Sequence, residues 1–350
     1  STMATYNTPE SMSNSSDLNL DSLQKYLHKN LAGFTPIQTI KKFKNGQSNP
    51  TYLLSCPKKS LVLRKKPVGK LLKSAHAIER EYKVMTALSK TAIPVPKTRL
   101  LCEDESVIGT AFFIMEYVEG RIFWNPVLPD LPAVEKREVF TQMAKLLSDL
   151  HKIDAQKVGL TDFGKPGNYY ARQLDRWVRQ YYLSETGKIN EINQLICWLQ
   201  QNLVEDDQKS CLVHGDFRLD NIIFDFKHPQ IIALLDWELS TLGHPYADLA
   251  YQCMQLRLPD NELLPGLGSH NRKQLGIPSE NEYVKLYCQL SGIPSIPHWE
   301  FYIAFSFFRF AAILQGVKKR AIDGNASSKR AYKLGDLVQP MAQMALNSIQ

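Results

Sequence analysis

Residues 211–236 read CLVHGDFRLDNIIFDFKHPQIIALLD. Two short apolar runs, Cys211–Val213 and Ile222–Phe224, flank a polar loop, and a third apolar run ends at Asp236. Runs of Ile, Val, Leu and Phe of this length, bounded by turn residues, predict strands. His214, Asp216 and Asn221 then fall on a loop between strands, and Asp236 falls just past a later strand end. Four side chains able to handle protons or metals, all at strand ends, point to chemistry rather than to core packing. The structural alternative is a strand–loop–strand with an Asp-rich turn.

The spacing sharpens the choice. His214-Gly215-Asp216, four residues, then Asn221 is the H-x-D-x-x-x-x-N pattern of a phosphotransfer loop. In such loops the Asp takes the acceptor hydroxyl's proton and the Asn holds a metal ion. The stretch resembles the aminoglycoside phosphotransferase and choline kinase family, whose members carry His-Gly-Asp where protein kinases carry His-Arg-Asp. The longer string HGDFRLDNIIF…LLDWELSTLGHPYADLAY is most similar to one branch, a phosphotransferase domain found alone in bacteria and fused to acyl-CoA dehydrogenases in some larger proteins. The resemblance implies an α+β, two-lobed, protein-kinase-like fold: an N-terminal antiparallel sheet with a helix, then a mainly helical lobe. It implies ATP and Mg²⁺ as cofactors, Asp216 as catalytic base, and Asn221 and Asp236 as metal ligands. His214 would brace the loop and Asp248 would buttress it. Asp-Trp-Glu stands where protein kinases carry D-F-G, and no A-P-E segment follows, which argues against a protein substrate.

Bulk properties agree with a soluble enzyme. The 350 residues are 44% apolar and 22% charged, as in ordinary globular proteins. The apolar stretch 301–314 is too short to span a bilayer and is interrupted by Arg309, so a buried helix is expected. Residues 1–19 are rich in Ser, Thr and Asn and lack the apolar core of a cleavable signal. The six cysteines form no C-x-x-C pair, so neither a zinc site nor a disulfide framework is indicated, and a cytoplasmic setting is expected. The net charge of +7 is spread along the chain; it suits an anionic ligand such as nucleotide and makes no case for nucleic acid or membrane.

In chain order, residues 1–17 are expected to be a disordered tail, 18–120 a nucleotide-binding lobe with a hinge near 116–120, and 121–350 a helical lobe carrying the catalytic loop and the acceptor site. Leu20, Leu23, Leu27 and Leu31 follow helical spacing, with Asn19 or Asp17 as cap. Residues 37–64 predict strand, turn, strand, strand. The Asn45-Gly46 turn either closes a plain hairpin or, through Gly46, Gln47, Ser48 and Asn49, cradles phosphates. In related kinases the next strand ends in a Lys that grips the phosphates. Here Arg64 occupies that place, with Lys65 as the alternative. The basic stretch 66–73 is either solvated or a contact for the phosphates of nucleotide or coenzyme A. A helix over 74–90, capped by Ser74, buries Ile78, Tyr82, Met85 and Leu88. At 100° per residue Glu81 lies on that buried face and Glu79 points away. A buried carboxylate needs a partner, so Glu81 is paired with Arg64. By resemblance, backbone groups of Glu116, Tyr117 and Val118 would meet adenine.

In the second lobe His151 ends a helix over 134–151 and reads as its C-terminal cap. Arg172, Arg176 and Trp177 lie on a helix that either packs on the core or contacts substrate. Arg218 either neutralises transferring phosphate, holds an anionic acceptor, or makes a structural ion pair. Glu238 is an outer metal contact or a surface charge. From residue 241 onward, eight acids face eleven Lys or Arg, which disfavours a polycationic acceptor. Together with the dehydrogenase-linked resemblance this favours an anionic or apolar hydroxylated acceptor, a hydroxyacyl-CoA first, with an acyl-CoA dehydrogenase as a separate partner. The alternatives are an aminoglycoside-type antibiotic phosphotransferase and a non-catalytic nucleotide-binding module.

Overall fold

The computed structural model describes residues 3–5, 12–44, 49–67, 77–324 and 329–350. Six antiparallel strands build the N-terminal sheet, in the spatial order Met12–Asn14, Thr39–Phe43, Thr51–Ser55, Ser60–Lys65, Phe112–Glu116, Thr98–Cys102. Its central strands are buried on both sides because their apolar residues alternate between two clusters. Tyr52, Leu54, Leu61, Leu63, Phe112 and Ile114 face the helix Leu20–Asn30 and its buried Leu23 and Leu27. Leu53, Val62, Phe113 and Met115 face the helix Ile78–Leu88. Asn19 caps the first of these helices by accepting from the Ser22 N–H at 3.2 Å. Leu20, at its first position, is exposed rather than buried. The second helix starts at Ile78; Ser74, its expected cap, lies outside the described residues, as does 68–73 of the basic stretch.

The segment expected to be a disordered tail contributes structure. Met12–Asn14 pairs with Thr39–Phe43, and Met3–Thr5 pairs with Arg121–Phe123. The free edge of a sheet offers unpaired N–H and C=O groups, so a polar segment can add a strand without the apolar alternation that a sequence pattern detects. Asp17, the other candidate cap, instead accepts from the Tyr52 hydroxyl at 2.9 Å.

After Gly120 the chain enters a second sheet, in which Arg121–Phe123 meets the hairpin formed by Ile222–Phe224 and Ile231–Leu234. A Cβ at Gly120 would collide with the Phe224 carbonyl oxygen, so the close approach of the two segments requires glycine there. A separate two-stranded ribbon pairs Cys211–Val213 with Thr241–Gly243. Helices fill the rest of this lobe around Trp299–Ile322. Among the described residues this is the one helix long and apolar enough to cross a membrane, and 72% of its apolar window is buried inside the molecule, as expected of a core helix. Residues 259–298 hold two helices, Arg272–Leu275 and Glu280–Ser291.

Several polar contacts tie the two lobes, Lys83–Asp162 at 3.1 Å among them. Arg80 donates to the carbonyls of Phe163 (2.9 Å) and Ser240 (3.2 Å) and stacks on the Phe163 ring. The Leu234 N–H donates to the Pro94 carbonyl at 2.9 Å. The Trp237 N–H donates to the Glu81 carboxylate at 2.9 Å.

Candidate active site

The predicted loop runs from Cys211–Val213 to Ile222–Phe224, with a 3₁₀ turn over Leu219–Asn221. Gly215 adopts φ +91°, and a Cβ there would lie 2.5 Å from the Leu239 carbonyl oxygen. The middle position of His-Gly-Asp therefore excludes any side chain, for both steric and conformational reasons. His214 is fully buried. Its Nδ1 accepts the Asp216 N–H at 3.1 Å and its Nε2 meets the Leu235 carbonyl at 2.7 Å, partners that assign the neutral Nε2–H tautomer. The ring thus locks the Asp216 backbone to the segment that carries Asp236.

Asp248, from the helix Pro245–Arg257, accepts the N–H groups of His214 and Gly215, both at 2.9 Å. His151 completes its shell, with Nε2 at 2.8 Å from the carboxylate and Nδ1 at 2.6 Å from the Tyr287 hydroxyl. His151 is therefore no mere helix cap; it reaches across the lobe to hold the buttress. Burial raises the Asp248 pKa, but the His151 bond and the charge and N–H groups around it outweigh that and hold the carboxyl below its ordinary range. A depressed folded pKa contributes stability above the unfolded value, about pH 4, and loses it as pH falls through the folded value. Asp248→Asn keeps the shape but replaces one acceptor oxygen with a donor that faces N–H groups. Its expected cost is about 2–4 kcal/mol of stability, read as a lowered denaturant midpoint, with Asp216 displaced and transfer slowed.

Among the described residues, three side chains reach the Asp216 carboxylate. The Asn221 amide nitrogen donates to the Asp216 carbonyl at 2.8 Å and to Oδ2 at 3.2 Å. The Tyr251 hydroxyl donates to Oδ1 at 2.7 Å. Arg218 Nε lies 3.3 Å from Oδ1, and its Nη2 lies 3.3 Å from Asp220. Arg218 thus bridges two carboxylates inside the loop. The geometry gives it an ion pair and, at the same time, a place beside the catalytic candidate.

Asn221 and Asp236 emerge at one end of the hairpin, where Ile222 pairs with Leu234 and the Leu235 N–H donates to the Asn221 carbonyl at 2.8 Å. Asp236 takes φ +60°, a left-handed conformation uncommon outside Gly, Asn and Asp. On the opposite side stands Arg64. Strand alternation sends it to the same face as Val62, toward Glu81, while Lys65 points to the face of Asp17 and Lys42. Arg64, not Lys65, therefore meets the site. Its Nη1 lies 3.2 Å from Glu81 and 2.9 Å from Asp236, and Glu238 stands 4.0 Å from Nη2. Arg64 and Glu81 are both buried, as the helical phase of Glu81 predicts. Burial pushes the Glu81 carboxyl up to about 7 against the pull of Arg64. Glu79 points outward to Lys66 at 2.6 Å.

The donors suit a hard cation. Both amide hydrogens of Asn221 are turned onto Asp216, which leaves its Oδ1 without a donor among the described residues, and Asp236 adds a carboxylate on the same hairpin end. Oxygen donors of amide and carboxylate type are the kind Mg²⁺ takes. Asn49 is fully buried with neither side-chain atom hydrogen-bonded; Gly46, Gln47 and Ser48 lie outside the described residues.

Of the hinge backbone groups expected to meet adenine, two N–H groups are engaged within the protein: the Glu116 N–H donates to the Lys97 carbonyl at 2.8 Å and the Tyr117 N–H to the Ser60 carbonyl at 3.3 Å, because the chain still follows the sheet there. Val118 is the hinge amide left without a backbone acceptor among the described residues. Arg172 does not reach the site. Its guanidinium is held by the carbonyls of Gly167 (2.9 Å) and Lys165 (2.8 Å), where it closes the turn before its helix. Trp177, five residues further on, does reach the catalytic side, against Arg309. Tyr251 and Arg309 were not foreseen as site residues. Tyr251 lies three positions after Asp248 on one helix, so the helical period places both on one face.

A β-rich lobe whose basic strand residue pairs with a helix glutamate, over a helical lobe bearing His-Gly-Asp and a later aspartate, defines a kinase-like phosphotransferase. The chain belongs to the phosphotransferase enzyme family, whose model matches residues 39–273. A protein of Ralstonia eutropha assigned to the aminoglycoside phosphotransferases shares 44% identity and superposes with a TM-score of 0.85 over 95% of this chain and 98% of its own. Aminoglycoside phosphotransferase APH(4)-Ia, in a ternary complex with AMP-PNP and hygromycin B, shares the fold at a TM-score of 0.62, with 15% identity, over 93% of this chain and 98% of its own. Among curated proteins, mouse acyl-CoA dehydrogenase family member 10 is 48% identical over 93% of this chain, which spans 30% of that protein. Rat acyl-CoA dehydrogenase family member 11 is 42% identical over 93%, which spans 42% of it. The chain thus covers less than half the length of these relatives.

Proposed function

We propose that this chain transfers the γ-phosphoryl group of ATP to a hydroxyl of a small molecule, with a hydroxyacyl-CoA as first candidate. The observation that carries the reading is the meeting of Asp216, Asn221 and Asp236 at one hairpin end, opposite the buried Arg64–Glu81 pair. Arg64 would align the phosphates and Val118 would take the adenine edge. Asn49, with the loop of Gly46, Gln47 and Ser48, would cover the triphosphate. Asn221 and Asp236 would hold Mg²⁺, which when bound would supply charge neutralisation for the phosphates. Asp216, fixed by Tyr251 and Asn221, would accept the acceptor's proton as the acceptor oxygen bonds to phosphorus and the bond to the β-phosphate oxygen breaks, releasing ADP. His214 and Asp248 hold the loop and touch no reactant.

The acceptor assignment is supported by the curated relatives, named as acyl-CoA dehydrogenases, and by the basic balance of the C-terminal third. A dehydrogenase acting on the same acyl-CoA class is the matching partner. The test is an ADP-release screen with Mg-ATP over hydroxyacyl-CoAs, free hydroxy acids and aminoglycosides. The expected result is turnover with a CoA thioester. Turnover confined to aminoglycosides would replace the acceptor assignment with antibiotic modification. Absence of both turnover and nucleotide binding would overturn the phosphotransferase reading.

A further inference from the structure

Every residue from 301 to 312 is buried except Arg309. A charge in the core helix of the lobe calls for a partner, yet among the described residues no carboxylate pairs with it. Its Nη2 donates to the Gly215 carbonyl at 3.1 Å, one residue from Asp216. The rest of its N–H fork has no acceptor among the described residues. Its guanidinium carbon sits 5.5 Å from the Trp177 ring centre and 5.6 Å from that of Tyr251, the residue whose hydroxyl holds Asp216. Trp177 brings a second unmet donor: its indole N–H is buried with no acceptor. The exposed Arg176 adds further positive charge 5.4 Å from the same ring. A guanidinium that meets one carbonyl and no carboxylate, packed against the ring of a tryptophan whose indole N–H has no acceptor, is complementary to an anion.

We propose that Arg309 and the Trp177 indole N–H form an anion subsite that holds a carboxylate or phosphate of the acceptor beside Asp216. The proposal rests on the phosphotransferase reading and specifies its acceptor side. It differs from a purely structural role, in which Arg309 only pins the Gly215 carbonyl, because that role is indifferent to the acceptor's charge. The subsite also separates this chain from a binder of polycations, which a bare arginine would repel.

The experiment is equilibrium binding to the chain saturated with Mg²⁺ and AMP-PNP. The probes are 3-hydroxybutyrate, 3-hydroxybutyryl-CoA and the neutral 1,3-butanediol. At least one anionic probe is expected to bind roughly tenfold or more tightly than the diol, as a charge-assisted contact implies. Arg309→Met is expected to abolish that preference while AMP-PNP affinity stays unchanged. Arg309→Lys is expected to keep part of it, and Trp177→Phe to weaken it. Equal binding of anion and diol by the wild type, or an undiminished preference in Arg309→Met, would overturn the subsite and leave the nucleotide site standing. Failure of the wild type to bind AMP-PNP would instead overturn the reading beneath it.

Discussion

Asp216→Ala is expected to lower phosphoryl transfer by about 10²–10⁴-fold, the range for loss of a positioned general base, while AMP-PNP binding changes little. The asymmetry follows from the contacts. The Asp216 carboxylate is held by Tyr251, Asn221 and Arg218, whereas the phosphate grip is proposed for Arg64 and Glu81 on the other side of the cleft. The Asn221 amide loses one of its two acceptors but keeps the Asp216 carbonyl at 2.8 Å, so the loop should stay folded. Turnover by ADP release and nucleotide binding by calorimetry, measured on one preparation, separate the two effects. Near-normal turnover in the variant would remove Asp216 from the chemistry.

Arg64→Met should produce the largest loss of stability of any single replacement in the site. The guanidinium is 5% exposed and lies against Glu81, 1% exposed, and against Asp236. Taking it away leaves a buried carboxylate facing a second acid, and breaking a buried pair from one side costs about 3–5 kcal/mol. Part of this cost should be relieved as Glu81, already raised to about 7 by burial, takes up a proton. The variant should therefore lose less stability at acidic pH than at alkaline pH, since a carboxyl whose pKa is raised on folding costs nothing below its unfolded value, about pH 4, and destabilises progressively as pH rises from there through the folded value. The double variant Arg64→Met, Glu81→Leu should recover a large share of the loss, because an apolar pair of similar volume removes both desolvation costs. Chemical denaturation of both variants at two pH values checks the claim; additive losses would show that Arg64 and Glu81 are not coupled. Arg64→Lys should fall between, since an ammonium satisfies the charge with a single point of contact where the fork now spans two acids.

What the chain reveals without coordinates depends on how local each feature is. His214, Asp216 and Asn221 lie within eight positions of one another, so a fixed loop spacing exposes them, and Asp236 ends the next strand. Arg64 and Glu81 were also legible: strand period and helix period each name one face, and a buried charge demands its opposite. Tyr251 was within reach, since one helical turn joins it to Asp248. His151 and Arg309 were not. They arrive from helices 97 and 94 residues distant in sequence from the atoms they touch, and nothing near them in the chain records the meeting. The edge strand Met12–Asn14 escaped for a different reason: what pairs it is backbone, which every residue carries.

The left-handed backbone of Asp236 has a consequence for how such a site would decay. Glycine occupies that conformation at no steric cost, so Asp236→Gly should relieve backbone strain while forfeiting both the Arg64 ion pair and the proposed metal carboxylate. Backbone strain and the roles of the carboxylate pull this position in opposite directions. A descendant released from catalysis, yet still required to fold, would be expected to drift to glycine or asparagine here before its core changed.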